Sequence, residues 1–134
     1  MGAIKNPEAV LDVVSVVLPA ADRTATQTSA AIDCTGKEQV VFVVHYGTIT
    51  DGTFTPSVTA SATSGGSYTS DASNVSGALT AGTSAADEDV VVFTWNVNPA
   101  KPFCKLVLTA SGSPATGGEF SAEAIRFANK FIPS

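Results

Sequence analysis

One histidine, two cysteines and a scatter of carboxylates are the residues of this chain best suited to chemistry. His45 has the side chain of a general base or a metal ligand, since imidazole titrates near neutrality. A metal site needs further ligands at recognisable spacing, and neither a second histidine nor a Cys-x-x-Cys pair accompanies it. Its setting inside an apolar run makes it a sheet-face or interface residue instead. Serines are plentiful, yet no Gly-x-Ser-x-Gly elbow occurs, and any nucleophilic serine would depend on His45 as its base. Asp51 and the run Asp87-Glu88-Asp89 could supply the carboxylate pair of glycoside hydrolysis. In loops rich in Gly and Ser they read better as solvated acids or the mark of a weak calcium site, and no twelve-residue calcium loop surrounds them.

Cys34 and Cys104 stand 70 residues apart. A bridge between them would be worth up to ~4 kcal/mol by loop entropy. Met1 to Lys5 lacks the basic flank, apolar segment and cleavage site of an export signal, so a reducing compartment and two buried thiols are expected. Gly65-Gly66 and Gly117-Gly118 read as turn glycines, since neither lies between a strand and a helix as a phosphate cradle would. Trp95, Tyr46, Tyr68 and Phe54 could form an aromatic sugar platform, but Trp95 is flanked by apolar strand residues and reads as core. No catalytic, cofactor-binding or metal residues are assigned, and the chain is expected not to be an enzyme.

The elements that would position these residues are strands. Residues 7–18 combine a helix-start pair, Asn6-Pro7, with β-branched Val13, Val14, Val16 and Val17, and read as an extended arm or first strand. Residues 23–32 read as a thin second strand, and Asp33 to Lys37 as a turn. Gln39 to Tyr46, bounded by Gly36 and Gly47, predicts a central strand buried on both faces. Asp51-Gly52 predicts a tight hairpin turn. Thr53 to Thr55 and Ser57 to Ser61 alternate around Pro56, which suits an edge or bulge. Residues 61–88, rich in Ser, Gly, Ala and Thr, predict a mobile loop with one weak strand. Further strands are predicted at 90–97, 103–110 and 119–127, the last with Phe120, Ala122, Ala124 and Phe127 on one face. Seven or eight short strands without an amphipathic helix predict an all-β fold, a single antiparallel β-sandwich of jelly-roll or immunoglobulin-like type. The expected organisation is an N-terminal arm or first strand at 1–18, a sandwich domain at 19–128 and a C-terminal tail at 129–134.

Composition narrows the partners. The chain has 134 residues, enough for one hydrophobic core. Hydrophobic residues make up 44% and the mean hydropathy is +0.24, too apolar for a disordered segment. A net charge of −5 gives no footprint for phosphates, so neither direct nucleic-acid binding nor an anionic membrane is expected. Only 14% of residues are charged, which leaves Ser, Thr, Ala and Gly to cover the surface. Such a surface suits a protein that spends its life in an assembly.

The apolar strand Val40 to Gly47, Asp51-Gly52-Thr53-Phe54-Thr55, the late strand Phe103 to Gly112, and Ala115-Thr116-Gly117-Gly118-Glu119-Phe120-Ser121-Ala122 form a set. Together these segments resemble a family of small virion proteins of tailed bacteriophages. Where family members carry an Asp-Asp-Gly-Ser turn, this chain has Ser64-Gly65-Gly66-Ser67-Tyr68. The resemblance spans about residues 30–127 and implies a capsid decoration, or cement, protein. It further implies a β-sandwich on the outer surface of an icosahedral head, assembled in the host cytoplasm. Its partners would be the major capsid protein and neighbouring copies of itself, as a dimer or trimer, with the chain ends as extended arms. A neck or tail component and a carbohydrate-binding module are the alternative expectations.

Overall fold

The structure, a computed structural model, describes the backbone of residues 11–17 and the full residues 23–85 and 89–127. The chain is all-β: β1 (Leu11–Val17), β2 (Gln27–Thr28), β3 (Ile32–Asp33), β4 (Gln39–Ile49), β5 (Thr53–Ser61), β6 (Thr69–Ser70), β7 (Val75–Ser76), β8 (Val90–Asn96), β9 (Phe103–Ser111) and β10 (Gly118–Phe127). A single turn of 3-10 helix, Ala72–Asn74, joins β6 to β7. The strands form two antiparallel sheets, one ordered β1-β10-β4-β8-β7, the other β2-β9-β5-β6 with β3 also on β9. Packed against each other, they make the antiparallel β-sandwich that the strand spacing predicts. The expected arms at residues 1–10 and 129–134 lie outside the described residues, while Leu11–Val17 is a first strand paired with β10.

β4, β5, β8, β9 and β10 alternate in burial, because successive side chains point to opposite faces. On β4, Val40, Phe42, Val44 and Tyr46 face the second sheet. Phe93 and Trp95 of β8 and Phe120, Ala122 and Ala124 of β10 join them. The second sheet contributes Phe54 and Val58 from β5 and Leu106 and Leu108 from β9. Phe42 and Phe93, directly paired across strands, stack at 5.4 Å, and Phe54 meets Phe120 at 5.0 Å across the layers. Such contacts add to area burial in ways that fix one packing.

β4 is central to its sheet, but it is not buried on both faces as its apolar run suggests. Gln39, Val41 and Val43 are only half-buried and His45 is exposed. Phe127 likewise departs from expectation: its parity sets it opposite Phe120, Ala122 and Ala124 on β10.

Asp51-Gly52 does not close a hairpin. β4 and β5 belong to different sheets, and the turn carries the chain from one layer to the other. The Asp51 carboxylate accepts hydrogen bonds from the backbone N–H groups of Ala115 (2.9 Å), Thr116 (3.1 Å) and Gly117, while Thr50 N–H donates to Gly117 O at 2.8 Å. These bonds tie the crossover to the loop between β9 and β10. Gly117 has φ +76°, and a Cβ there would lie 1.7 Å from the Arg23 carbonyl oxygen. Only glycine allows this approach, which is completed by reciprocal backbone bonds between Arg23 and Gly118 of 2.9 and 3.1 Å.

The strand expected over 23–32 is broken into β2 and β3, both paired to β9. Around the breaks, side chains replace main-chain partners. Thr26 Oγ1 accepts from Ala110 N–H at 3.0 Å, and Ser29 Oγ accepts from Leu106 N–H at 3.0 Å. Hydroxyl side chains compete with ladder hydrogen bonds in this way. Among the described residues of 61–88 there are two short strands instead of one. β6 pairs with β5 and β7 pairs with β8, so this segment also crosses between sheets. Pro56 lies inside a continuous β5, paired with Leu108 on one side and between the Gly82 and β6 contacts on the other.

Candidate binding surface

Of the residues suited to chemistry, Cys34 and Cys104 come within 3.8 Å of each other, while Asp51 and Asp89 have structural work. His45 points outward from β4, between Ser121 of β10 and Val90 of β8, and hydrogen-bonds no described carboxylate. Asp51 is occupied by three backbone N–H groups, led by Gly117, which hold its carboxyl below the usual carboxylate range. Thr35 does the same for Asp33. Asp89 serves through its main chain, accepting from Tyr46 N–H at 2.9 Å, while Asp87 and Glu88 lie outside the described residues. Among the described residues, no three His, Cys, Asp or Glu side chains gather in a metal-binding arrangement.

Nor do the aromatic residues form a platform. Trp95 is fully buried, and its indole N–H donates to Asp71 Oδ2 at 2.7 Å. The same oxygen accepts from Asn74 Nδ2 at 3.0 Å, so one carboxylate pins the 3-10 turn onto the core. Phe54 is buried. Tyr46 is buried too, its hydroxyl donating to Thr80 O at 3.0 Å, and burial pushes its pKa up to about 12. Tyr68 lies near the surface, with the Lys105 ammonium 4.3 Å from its ring centre and its hydroxyl donating to Ser64 O.

Strand register exposes a feature that residue-by-residue reading missed. On the outer face of the β10-β4-β8 layer, Val43 lies between Glu123 and Val92, and Val41 between Ile125 and Thr94. His45 neighbours Val90 in the next row. The result is an apolar band of Val41, Val43, Ile125, Val90 and Val92, bordered by His45, Glu123, Gln39 and Asn96. Val90 and Val92 are the exposed large hydrophobics among the described residues, at 58% and 54%. Beyond Ser76, no described strand pairs with β8 on its far side, so the band runs to a sheet edge at Val90–Val92. The signal was present in Val90-Val91-Val92, where a strand with one wet face would alternate with polar residues.

The opposite face is polar along β5, where Thr53, Thr55, Ser57 and Thr59 alternate, and mixed along β9, which carries Phe103, Lys105, Val107 and Thr109 there. At one end of the sandwich a shallow depression of about 340 Å³ is lined by Cys34, Thr35, Gly36, Lys37, Glu38, Val97, Pro99 and Pro102. Comparison with protein-family models, curated proteins and solved structures finds no match to this chain. No helix among the described residues is long and apolar enough to cross a membrane.

Proposed function

We propose that this chain is a capsid decoration protein, which coats the outer surface of a tailed-phage head and joins neighbouring major capsid subunits. The observation that carries this reading is the valine band, an apolar, sheet-backed surface reaching a strand edge that no described strand covers. Its strands are the same ones that fill the core with Phe42, Phe93 and Trp95, so the surface is held rigid and loses little entropy on docking. Covering the exposed halves of Val90 and Val92 stabilises a contact by about 2 kcal/mol in total. That is a weak bond for one copy, but a clamp repeated across a shell, with additional contacts between copies, gains by avidity. The low charge and Ser/Thr-covered remaining surface suit crowding beside identical neighbours.

Quantitative mass spectrometry of purified particles from the source of this chain tests the reading. One copy per major capsid subunit, or a simple fraction of that, is the expected result. A handful of copies per particle would transfer the protein to the neck or tail, and complete absence would overturn the virion role.

A further inference from the structure

We propose that Cys34 and Cys104 form a disulfide-exchange site, closing into an intramolecular bridge when a low-molecular-weight disulfide such as oxidised glutathione is present. Both thiols are fully buried and unbonded, with their sulfurs 3.8 Å apart. Register explains the approach. Ile32 pairs with Cys104 and Asp33 with Phe103, and the ladder continues as Cys34 N–H donates to Pro102 O at 2.9 Å. The cysteines are therefore diagonal neighbours on one face of the β3-β9 pair, the arrangement in which side chains reach each other across a strand.

Bonding requires the sulfurs to close to about 2.05 Å, a movement of roughly 1.8 Å. The element able to supply it is the turn after β3, where Lys37 N–H donates to Cys34 O at 2.9 Å. Gly36 in that turn has φ +78° and no atom within 4 Å of where a Cβ would stand, so the turn has room to shift. Access requires that same turn to open: Cys34, fully buried, borders the depression at this end of the sandwich, and Cys104 does not. Cys34 is also the thiol that a small disulfide meets first, and its hydrogen bond with the Cys104 thiol holds its pKa below the usual thiol value. That same bond, with burial, pushes Cys104 up. In the reaction, the Cys34 thiolate attacks one sulfur of the small disulfide and expels a small thiolate, which takes up the proton Cys34 released. Cys104 then gives up its proton, its sulfur displaces the second small thiol, and the protein bridge forms. Two protein thiols are oxidised and one small disulfide is reduced to two thiols.

The test uses the full-length chain in glutathione buffers of graded oxidised-to-reduced ratio, followed by alkylation and intact-mass measurement. The native chain is expected to lose both thiols together, as a monomer two hydrogens lighter, and to reach half-oxidation at a ratio at least about ten-fold lower than the same chain in urea. Cys104→Ser is expected to accumulate a glutathione adduct on Cys34, whereas Cys34→Ser leaves Cys104 unmodified. Two thiols that persist in native buffer yet oxidise in urea would overturn the proposal, as would a bridge between two chains or an adduct on Cys104 alone. The wild-type titration decides the matter even if a serine variant fails to fold.

Discussion

Gly117→Ala and Gly36→Ala make a matched pair of perturbations, because both glycines have nearly the same φ, +76° and +78°. An alanine in the left-handed region costs about 1–2 kcal/mol at either site. The surroundings differ. At position 36 an added methyl meets nothing within 4 Å, whereas at position 117 it would lie 1.7 Å from the Arg23 carbonyl oxygen. Relieving that overlap means displacing main chain by roughly 1.5 Å, since carbon and oxygen settle at about 3.3 Å or more. Such a shift disrupts the two Arg23–Gly118 bonds and the Thr50-to-Gly117 bond, each worth about 0.5–1.5 kcal/mol net. Gly117→Ala should therefore destabilise by about 4 kcal/mol, a fall in Tm of roughly 15 °C for a domain of this size, against about 1 kcal/mol and 4 °C for Gly36→Ala. Urea titration with an unchanged m-value, alongside calorimetry, measures both. Equal losses at the two positions would refute the claim that close approach to Arg23, rather than backbone sign alone, selects glycine at 117.

Asp71→Ala should leave the buried Trp95 N–H without its acceptor, cost about 1.5–3 kcal/mol in urea unfolding, and alter Trp95 fluorescence. Tyr46 binds its proton more tightly folded than unfolded, so its contribution to stability is complete below pH 10 and disappears as pH rises through about 12. Tyr46→Phe should remove that component of alkaline unfolding, followed by absorbance near 295 nm. For Asp51 the sign is opposite, because its folded pKa lies below the ordinary 3.8. Its stabilisation is present above that pH and lost as the solution becomes more acidic, and Asp51→Asn should lower Tm at pH 7 while flattening the acid limb of the stability curve.

Strand positions were legible because each apolar run is a local record of burial. Val90 to Asn96, Phe103 to Ser111 and Gly118 to Phe127 stand close to where alternation and flanking turns place them. Burial by face was less legible. Along β4 an unbroken apolar run is compatible with two covered faces or with one covered face and one awaiting a partner. Local sequence carries no mark that separates these cases. The breaks at Thr26 and Ser29 were hidden for a similar reason: Thr and Ser fit a strand well until a neighbouring ladder offers their hydroxyls an amide.

By itself, then, the sequence determined the all-β class and the positions of β4, β5, β8, β9 and β10, because these depend on period-two patterning and turn chemistry within a few residues. Tertiary structure alone decided which sheet each strand joins, which face of β4 stays uncovered, and that two cysteines far apart in the chain come to 3.8 Å. Asp51-Gly52 shows the reason. Its local chemistry suits a hairpin, but its fate is set by N–H groups 64 to 66 residues further along, which reach the carboxylate only once both sheets have packed.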